Sequence, residues 1–299
     1  MPIIRLSRLV IPLALVTAAA SACHPGTGEA MRLRDACETG EITACHDFGN
    51  RLLRGEHVLR DVRRAAILFE GACEEGKAES CATLGGLYLD GRGVGRDSAR
   101  AAALWEQGCA GGAMEGCTRL GLFARARHDS AGAAARLEQA CAGGDARGCA
   151  VAGELHAAGE GVAQDYALAA ARFTRGCDGG IVSGCAGLGA LHADGHGVPQ
   201  DHARAAELFR QACEAFDANG CFRLGNLLAS GTGVPQDDAQ AAERYRRACD
   251  YRHGEACYRL GVMYQTGTGV ERQPGRASGL VGRACQNGYT AACPEGRRQ

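Results

Sequence analysis

The stretch CEEGKAESC (residues 73–81) sets two cysteines eight positions apart around a glycine, and the spacing returns in CAGGAMEGC (109–117) and CAGGDARGC (141–149). Eight residues of unbroken helix rise about 12 Å. A disulfide needs Cα atoms roughly 4.4–6.8 Å apart. If such a pair is bridged, the chain must turn between its two cysteines, and residues such as Gly111-Gly112, Gly143-Gly144 and Gly179-Gly180 supply the turn. Metal binding is the rival reading. Zinc sites use shorter spacings, with two pairs facing each other. No Cys-x2-Cys occurs in the chain, nor the Cys-x2-Cys-His of haem attachment. The pairs therefore read as structural staples, and the sequence calls for no cofactor.

The first cysteines of the pairs are Cys37, Cys73, Cys109, Cys141, Cys177, Cys213, Cys249 and Cys285, and their partners are Cys45, Cys81, Cys117, Cys149, Cys185, Cys221, Cys257 and Cys293. The period is 36 residues, except for one step of 32 between Cys109 and Cys141. A fixed period of this size is the mark of a solenoid.

Each period holds two helical segments. Helix A is read from the second cysteine, as in CATLGGLYLDGRGV (81–94), with apolar residues at helical spacing. A glycine stands four positions after that cysteine: Gly49, Gly85, Gly121, Gly153, Gly189, Gly225 and Gly261. Glycine inside a helix costs roughly 1 kcal/mol, so its recurrence points to a close helix–helix approach. A glycine loop follows, and then an aspartate placed to cap the next helix: Asp61, Asp97, Asp129, Asp165, Asp201 and Asp237. Gln273 replaces it in the last unit, with Pro274 behind it. Helix B then runs to the next cysteine with a bulky residue four positions before it: Leu33, Phe69, Trp105, Leu137, Phe173, Phe209, Tyr245 or Val281. These read as plugs between layers. The fold class is thus all-α, an α/α superhelical solenoid of about seven helix hairpins stapled by disulfides. A leading helix precedes Cys37. The third unit, CTRLGLFARARHDS (117–130), lacks the glycine loop and should turn tightly.

The chain has 299 residues, is 46% hydrophobic and carries a formal charge of −1. No patch of one sign dominates, so nucleic-acid binding has no support. Residues 1–22 read as an export signal, with Arg5 and Arg8 before a short apolar run. Export permits disulfides. The end of the signal, ASAC, resembles a bacterial lipobox with Cys23 as the lipid-bearing residue; plain cleavage after Ala22 is the alternative. Parity favours lipidation. Seventeen cysteines leave one over after pairing, and it is Cys23. The expected layout is a signal at 1–22, a linker at 23–28, the solenoid at 29–293 and a tail at 294–299. It describes a monomer in the bacterial cell envelope, reaching the membrane only through its anchor, or a secreted one.

The pattern CxxLGxLYxxGxGVxxD…A…AxxLxxxAC resembles the Sel1-like repeat, a relative of the tetratricopeptide repeat. With the Cys-x7-Cys staple and the export signal, the chain resembles the Helicobacter cysteine-rich protein family over about residues 29–293. That resemblance implies a right-handed superhelix with a concave face lined by helices A. It also implies partner or host interactions, and a β-lactamase and penicillin-binding label. A looser resemblance is to cysteine-rich repeat proteins of the mitochondrial intermembrane space, against which the lipobox-like signal argues.

The residues give no mechanism for hydrolysis. A Ser-x-x-Lys nucleophile is missing: the only lysine is Lys77, and three before it stands Glu74. The position seven after the second cysteine is more suggestive. Tyr88, His156, His192 and Tyr264 occupy it in four units, and Leu52, Ala124 and Leu228 in the others. His156 and His192, with His196 nearby, could meet a metal or an anionic ligand, or could pack half-buried as tyrosine does. Two functions stay open: a scaffold binding a protein, peptide or peptidoglycan-like ligand, and a β-lactam hydrolase. A haem or redox-linked assembly role is a third.

Overall fold

The structure, a computed structural model, describes residues 26–293. The predicted signal at 1–22, the lipidation site Cys23 and the tail at 294–299 lie outside the described residues. Among the described residues the chain forms fifteen α-helices and one closing 3-10 turn, Thr290–Ala292. The odd-numbered helices are of the B type: α1 (Thr27–Glu38), α3 (Val62–Glu74), α5 (Ser98–Ala110), α7 (Ser130–Ala142), α9 (Tyr166–Asp178), α11 (His202–Glu214), α13 (Asp238–Asp250) and α15 (Pro274–Gln286). The even-numbered ones are of the A type: α2 (Ile42–Arg54), α4 (Ala78–Asp90), α6 (Met114–Ala126), α8 (Ala146–Ala158), α10 (Val182–Asp194), α12 (Ala218–Ser230) and α14 (Gly254–Thr266). Seven hairpins, α2–α3 through α14–α15, follow a leading α1, which starts at Thr27, inside the segment expected to be a linker.

Helix boundaries differ from the sequence reading in one respect. Each A helix begins three residues before its second cysteine, and each B helix runs one residue past its first. The turn between them shrinks to three residues, as in Glu75, Gly76 and Lys77. The middle residue turns the chain with a left-handed backbone: Gly76 has φ 90° and Gly112 φ 95°. All eight cysteine pairs form disulfides, with Cα–Cα distances from 4.4 to 4.9 Å. Each bridge joins the last turn of a B helix to the first turn of the next segment.

The capping aspartates behave as their spacing predicts. Asp61 accepts the backbone N–H of Arg64, Asp129 that of Gly132, Asp165 that of Leu168, Asp201 that of Arg204 and Asp237 that of Gln240. Asp97 accepts from both Ala99 and Arg100. Gln273 makes no such bond, and Pro274 opens α15 in its place.

The recurrent glycine and the bulky plug prove to be two halves of one contact. A Cβ built on Gly85 would lie 2.6 Å from the Trp105 ring, and one on Gly225 would lie 2.7 Å from the Tyr245 ring. The same clash recurs at Gly49 with Phe69, Gly121 with Leu137, Gly153 with Phe173 and Gly189 with Phe209. The plug lies flat on a helix A that has no side chain there. Phe69, Trp105, Leu137 and Phe209 are almost wholly buried. Leu33 and Val281, in the first and last helices of the described residues, are only half-buried.

Successive even-numbered helices approach one another along α4, α6, α8 and α10 more closely than any two odd-numbered helices do. The stack therefore curves with the A helices inside. The odd helices are tied across the convex side by long side chains. Glu70 pairs with Arg100, Glu106 with Arg136 at 2.8 Å, and Glu138 with Arg172 at 2.8 Å. The short third unit loses its four residues entirely from the loop. Only Arg127, His128 and Asp129 join α6 to α7, and both helices keep the standard thirteen residues. Among the described residues no helix is long and apolar enough to cross a membrane.

Candidate functional site

Because the A helices line the inside of the curve, their exposed side chains form the concave face. The residue two positions after the second cysteine shows how this face varies in six units, Asp47, Thr83, Arg119, Gly187, Arg223 and Arg259, while Val151 in the remaining one is buried. The glycine two positions further on never changes. A constant core thus carries a variable inner surface.

Two clefts open on that surface. The first, about 450 Å³, runs across three successive A helices, with His46 and Asn50 from α2, Glu79 and Thr83 from α4, and Glu115 and Arg119 from α6. Arg119 holds Glu115 through Nε at 2.9 Å and Nη2 at 2.6 Å. Lys77 lies 3.3 Å from Glu79. The Glu79 carboxyl is held below its usual value, first by its own backbone N–H and then by Lys77 and His46. At the floor, Asn50 Nδ2 donates to His46 Nε2 at 3.0 Å, which leaves the imidazole proton on Nδ1, 2.8 Å from Ser80 Oγ. Burial pushes the His46 imidazole below its ordinary value, so it is neutral at pH 7.

His46 and Ser80 were not singled out in the sequence. They lie 34 residues apart, and only stacking brings them together. The pair has the composition of a nucleophile and its base, yet Ser80 is wholly buried. Its position, one before the second cysteine, is glycine or alanine in the other units and abuts the preceding B helix. Ser80 is a packing residue with a satisfied hydroxyl and presents no nucleophile to a substrate.

The second cleft, about 490 Å³, lies at the C-terminal end, between Ala229 of α12 and Tyr258, Val262 and Met263 of α14, with Tyr245 and Tyr289 beside them. Tyr258 and Tyr289 form a tilted pair with ring centroids 5.3 Å apart. Glu255, Arg259, Asp238 and Thr268 complete its lining.

The structure disperses the four residues expected at a ligand site. Tyr88 and Tyr264 are each 8% exposed, and each lies under an arginine of the following B helix, Arg100 at 4.5 Å and Arg276 at 4.6 Å. His156, also 8% exposed, bonds Glu138 at 2.7 Å. His192 Nδ1 is 3.4 Å from the Pro199 carbonyl, and His196 stacks on Tyr166. The position is a packing position, consistent with Leu52 and Leu228 in other units. Among the described residues no three His, Cys, Asp or Glu side chains are grouped to hold a metal ion.

The network around Glu138 carries a testable pH dependence. Burial alone would raise this carboxyl, but Arg172 and His156, both bonded to it, hold it below the usual 4.5. A depressed carboxylate contributes stability above its unfolded pKa and loses it as pH falls through the folded value. Glu138→Gln should therefore be less stable than the parent at pH 7 in urea unfolding, with the gap closing below about pH 4. A gap unchanged between pH 7 and pH 3 would remove the electrostatic account.

Six segments of the chain match the Sel1 repeat family model: residues 42–77, 78–112, 146–180, 182–215, 218–250 and 254–289. The long gap between matched segments, 113–145, holds the short third unit. Among solved structures, the chain is 25% identical to a protective antigen of uropathogenic Escherichia coli displaying an SLR fold, with a TM-score of 0.77 over 88% of this chain. It spans only 57% of that protein. It is also 25% identical to a Sel1 repeat protein from Oxalobacter formigenes, with a TM-score of 0.68 over 89% of this chain and 78% of the other. Helicobacter pylori cysteine rich protein B is 27% identical over 40% of this chain and 86% of its own length, at a TM-score of 0.34. No curated protein is significantly similar to the chain.

Proposed function

Because this chain belongs to the Sel1 repeat family, we propose that it is an exported scaffold whose concave face holds a segment of a partner protein. The cleft across α2, α4 and α6 carries this reading. Three consecutive units contribute acidic, basic and amide groups to one continuous cavity, above a recurrent glycine that faces an apolar plug. Such a surface recognises an extended chain by several polar contacts and leaves the fold unaffected when its residues change. Eight disulfides suit an oxidising compartment outside the cytoplasm. Cys23 is the thiol left over, and we assign it to a lipid anchor at the bacterial envelope. Hydrolysis of β-lactams finds no support in the cleft, where the nearest serine, Ser80, is sealed from solvent.

Site-specific photocrosslinking in the native envelope tests the proposal. Benzoylphenylalanine at Thr83 or Arg119 should capture a protein. The same probe at Arg63 or Arg210, exposed positions on the B helices, should not. Capture from the B helices alone, or from neither set, would end the concave-face reading.

A further inference from the structure

The C-terminal cleft differs in kind from the first. Five of the chain's seven tyrosines fall between residues 245 and 289, and three of them line this cavity. Several aromatic rings of the protein lie under its own guanidinium groups: Arg100 over Tyr88, Arg276 over Tyr264, Arg127 over Phe123 and Arg64 over Phe48. Tyr258 and Tyr289 are half-buried, and among the described residues no arginine lies over either ring. The nearest candidate, Arg259, is turned onto Phe222 at 5.4 Å and is held there by Glu255 at 2.7 Å.

The charge balance points the same way. Arg259 and Glu255 neutralise one another. The Asp238 carboxylate, in the first turn of α13, makes no hydrogen bond or ion pair among the described residues. The cavity thus keeps one carboxylate outside any ion pair and two half-buried aromatic rings with no guanidinium over them. Aromatic faces attract cations through their quadrupoles, most strongly where water is excluded. A guanidinium suits the tilted Tyr258–Tyr289 pair better than an ammonium, because it is planar, stacks on rings and sheds its hydration more easily. A floor of Ala229, Val262 and Met263 accommodates the aliphatic stem of such a side chain.

We propose that this cleft is a receptor for an arginine side chain presented by an extended segment of the partner protein. The inference rests on the concave-face reading and adds the chemistry of one contact. The guanidinium occupies the tyrosine pair as Arg100 and Arg276 occupy Tyr88 and Tyr264, with Asp238 supplying the long-range attraction.

Titration calorimetry on the oxidised full chain tests it with two probes, the peptide acetyl-Gly-Gly-Arg-Gly-Gly-amide and its citrulline counterpart. Citrulline keeps the shape and removes the charge. The arginine probe should bind at least tenfold more tightly, and the preference should weaken as salt rises. Tyr258→Leu with Tyr289→Leu should abolish the preference. Asp238→Asn, a substitution at a partly exposed site, should reduce it several-fold and serves where the double variant does not fold. Equal binding of the two probes, or none by the arginine probe, overturns the assignment. Crosslinking from Thr83 that persists despite such a result would leave the concave-face reading standing and remove only the arginine site.

Discussion

Reduction of the eight disulfides is expected to unfold the chain at 25 °C without denaturant. Each bridge closes the same ring, with a sequence separation of 8. In the chain-entropy model a ring of this size contributes about 2.5 kcal/mol. Eight such terms, on the order of 20 kcal/mol together, exceed the 5–15 kcal/mol that separates folded from unfolded protein in most domains. Far-UV circular dichroism with and without a phosphine reductant reads the result directly. A reduced chain that kept its full helical signal and its thermal midpoint would show that the staples are dispensable. The equal ring size allows a finer test. Because the entropic term is common to all eight, any spread among single-bridge deletions reports the folded state. Cys141 and Cys149 are buried in the middle of the stack, whereas Cys285 and Cys293 close its last turn. Paired replacement by alanine should cost more at the first site than at the second, since an end unit can open without separating two neighbours.

These two sites also show what could be read from the residues alone. The cysteine period and the geometric limit on a disulfide fixed where the chain must turn, and the seven hairpins followed. The boundary of helix A was harder. Asp145, Asp217 and His253 cap three of these helices, but in four the first turn begins behind Glu41, Lys77, Ala113 or Ile181, none of which makes a side-chain cap, so no common capping signal announces it. The side chains that shape the clefts were harder still. His46 and Ser80 are 34 residues apart, and Tyr258 and Tyr289 are 31 apart. Such pairs arise only when one unit is laid on the next at a known offset. The position of Tyr88, His156, His192 and Tyr264 misled for a related reason. Chemically capable side chains recur there because the site is a half-polar packing niche under the next B helix, and that niche is invisible until the two helices are placed together.

The contact between Gly85 and Trp105 should be the strongest pairwise coupling in the chain. Trp105 is 2% exposed and donates its indole N–H to the Ala82 carbonyl at 3.0 Å. Trp105→Ala leaves a cavity and removes the indole bond to the Ala82 carbonyl, with an expected loss of about 3–5 kcal/mol. Gly85→Ala, taken alone, sets two effects against each other. Alanine is the better helix former by about 1 kcal/mol. Its methyl would stand 2.6 Å from Cδ1 and Nε1 of the buried indole. Overpacking of this kind costs about 1–3 kcal/mol, so the single variant should be destabilised. In the Trp105→Ala background the ring is gone, and the nearest remaining atom is the Ala101 carbonyl at 3.0 Å. There the ring clash is gone, and the helix preference is set only against this carbonyl contact. The same substitution should then cost clearly less than in the parent, a coupling that separates steric exclusion by the ring from any general intolerance of side chains on the A helix. Urea unfolding followed by circular dichroism suits all four proteins of the cycle, since the only tryptophan is the residue removed. Additive effects of the two substitutions would mean that the recurrent glycine serves something other than the plug laid across it.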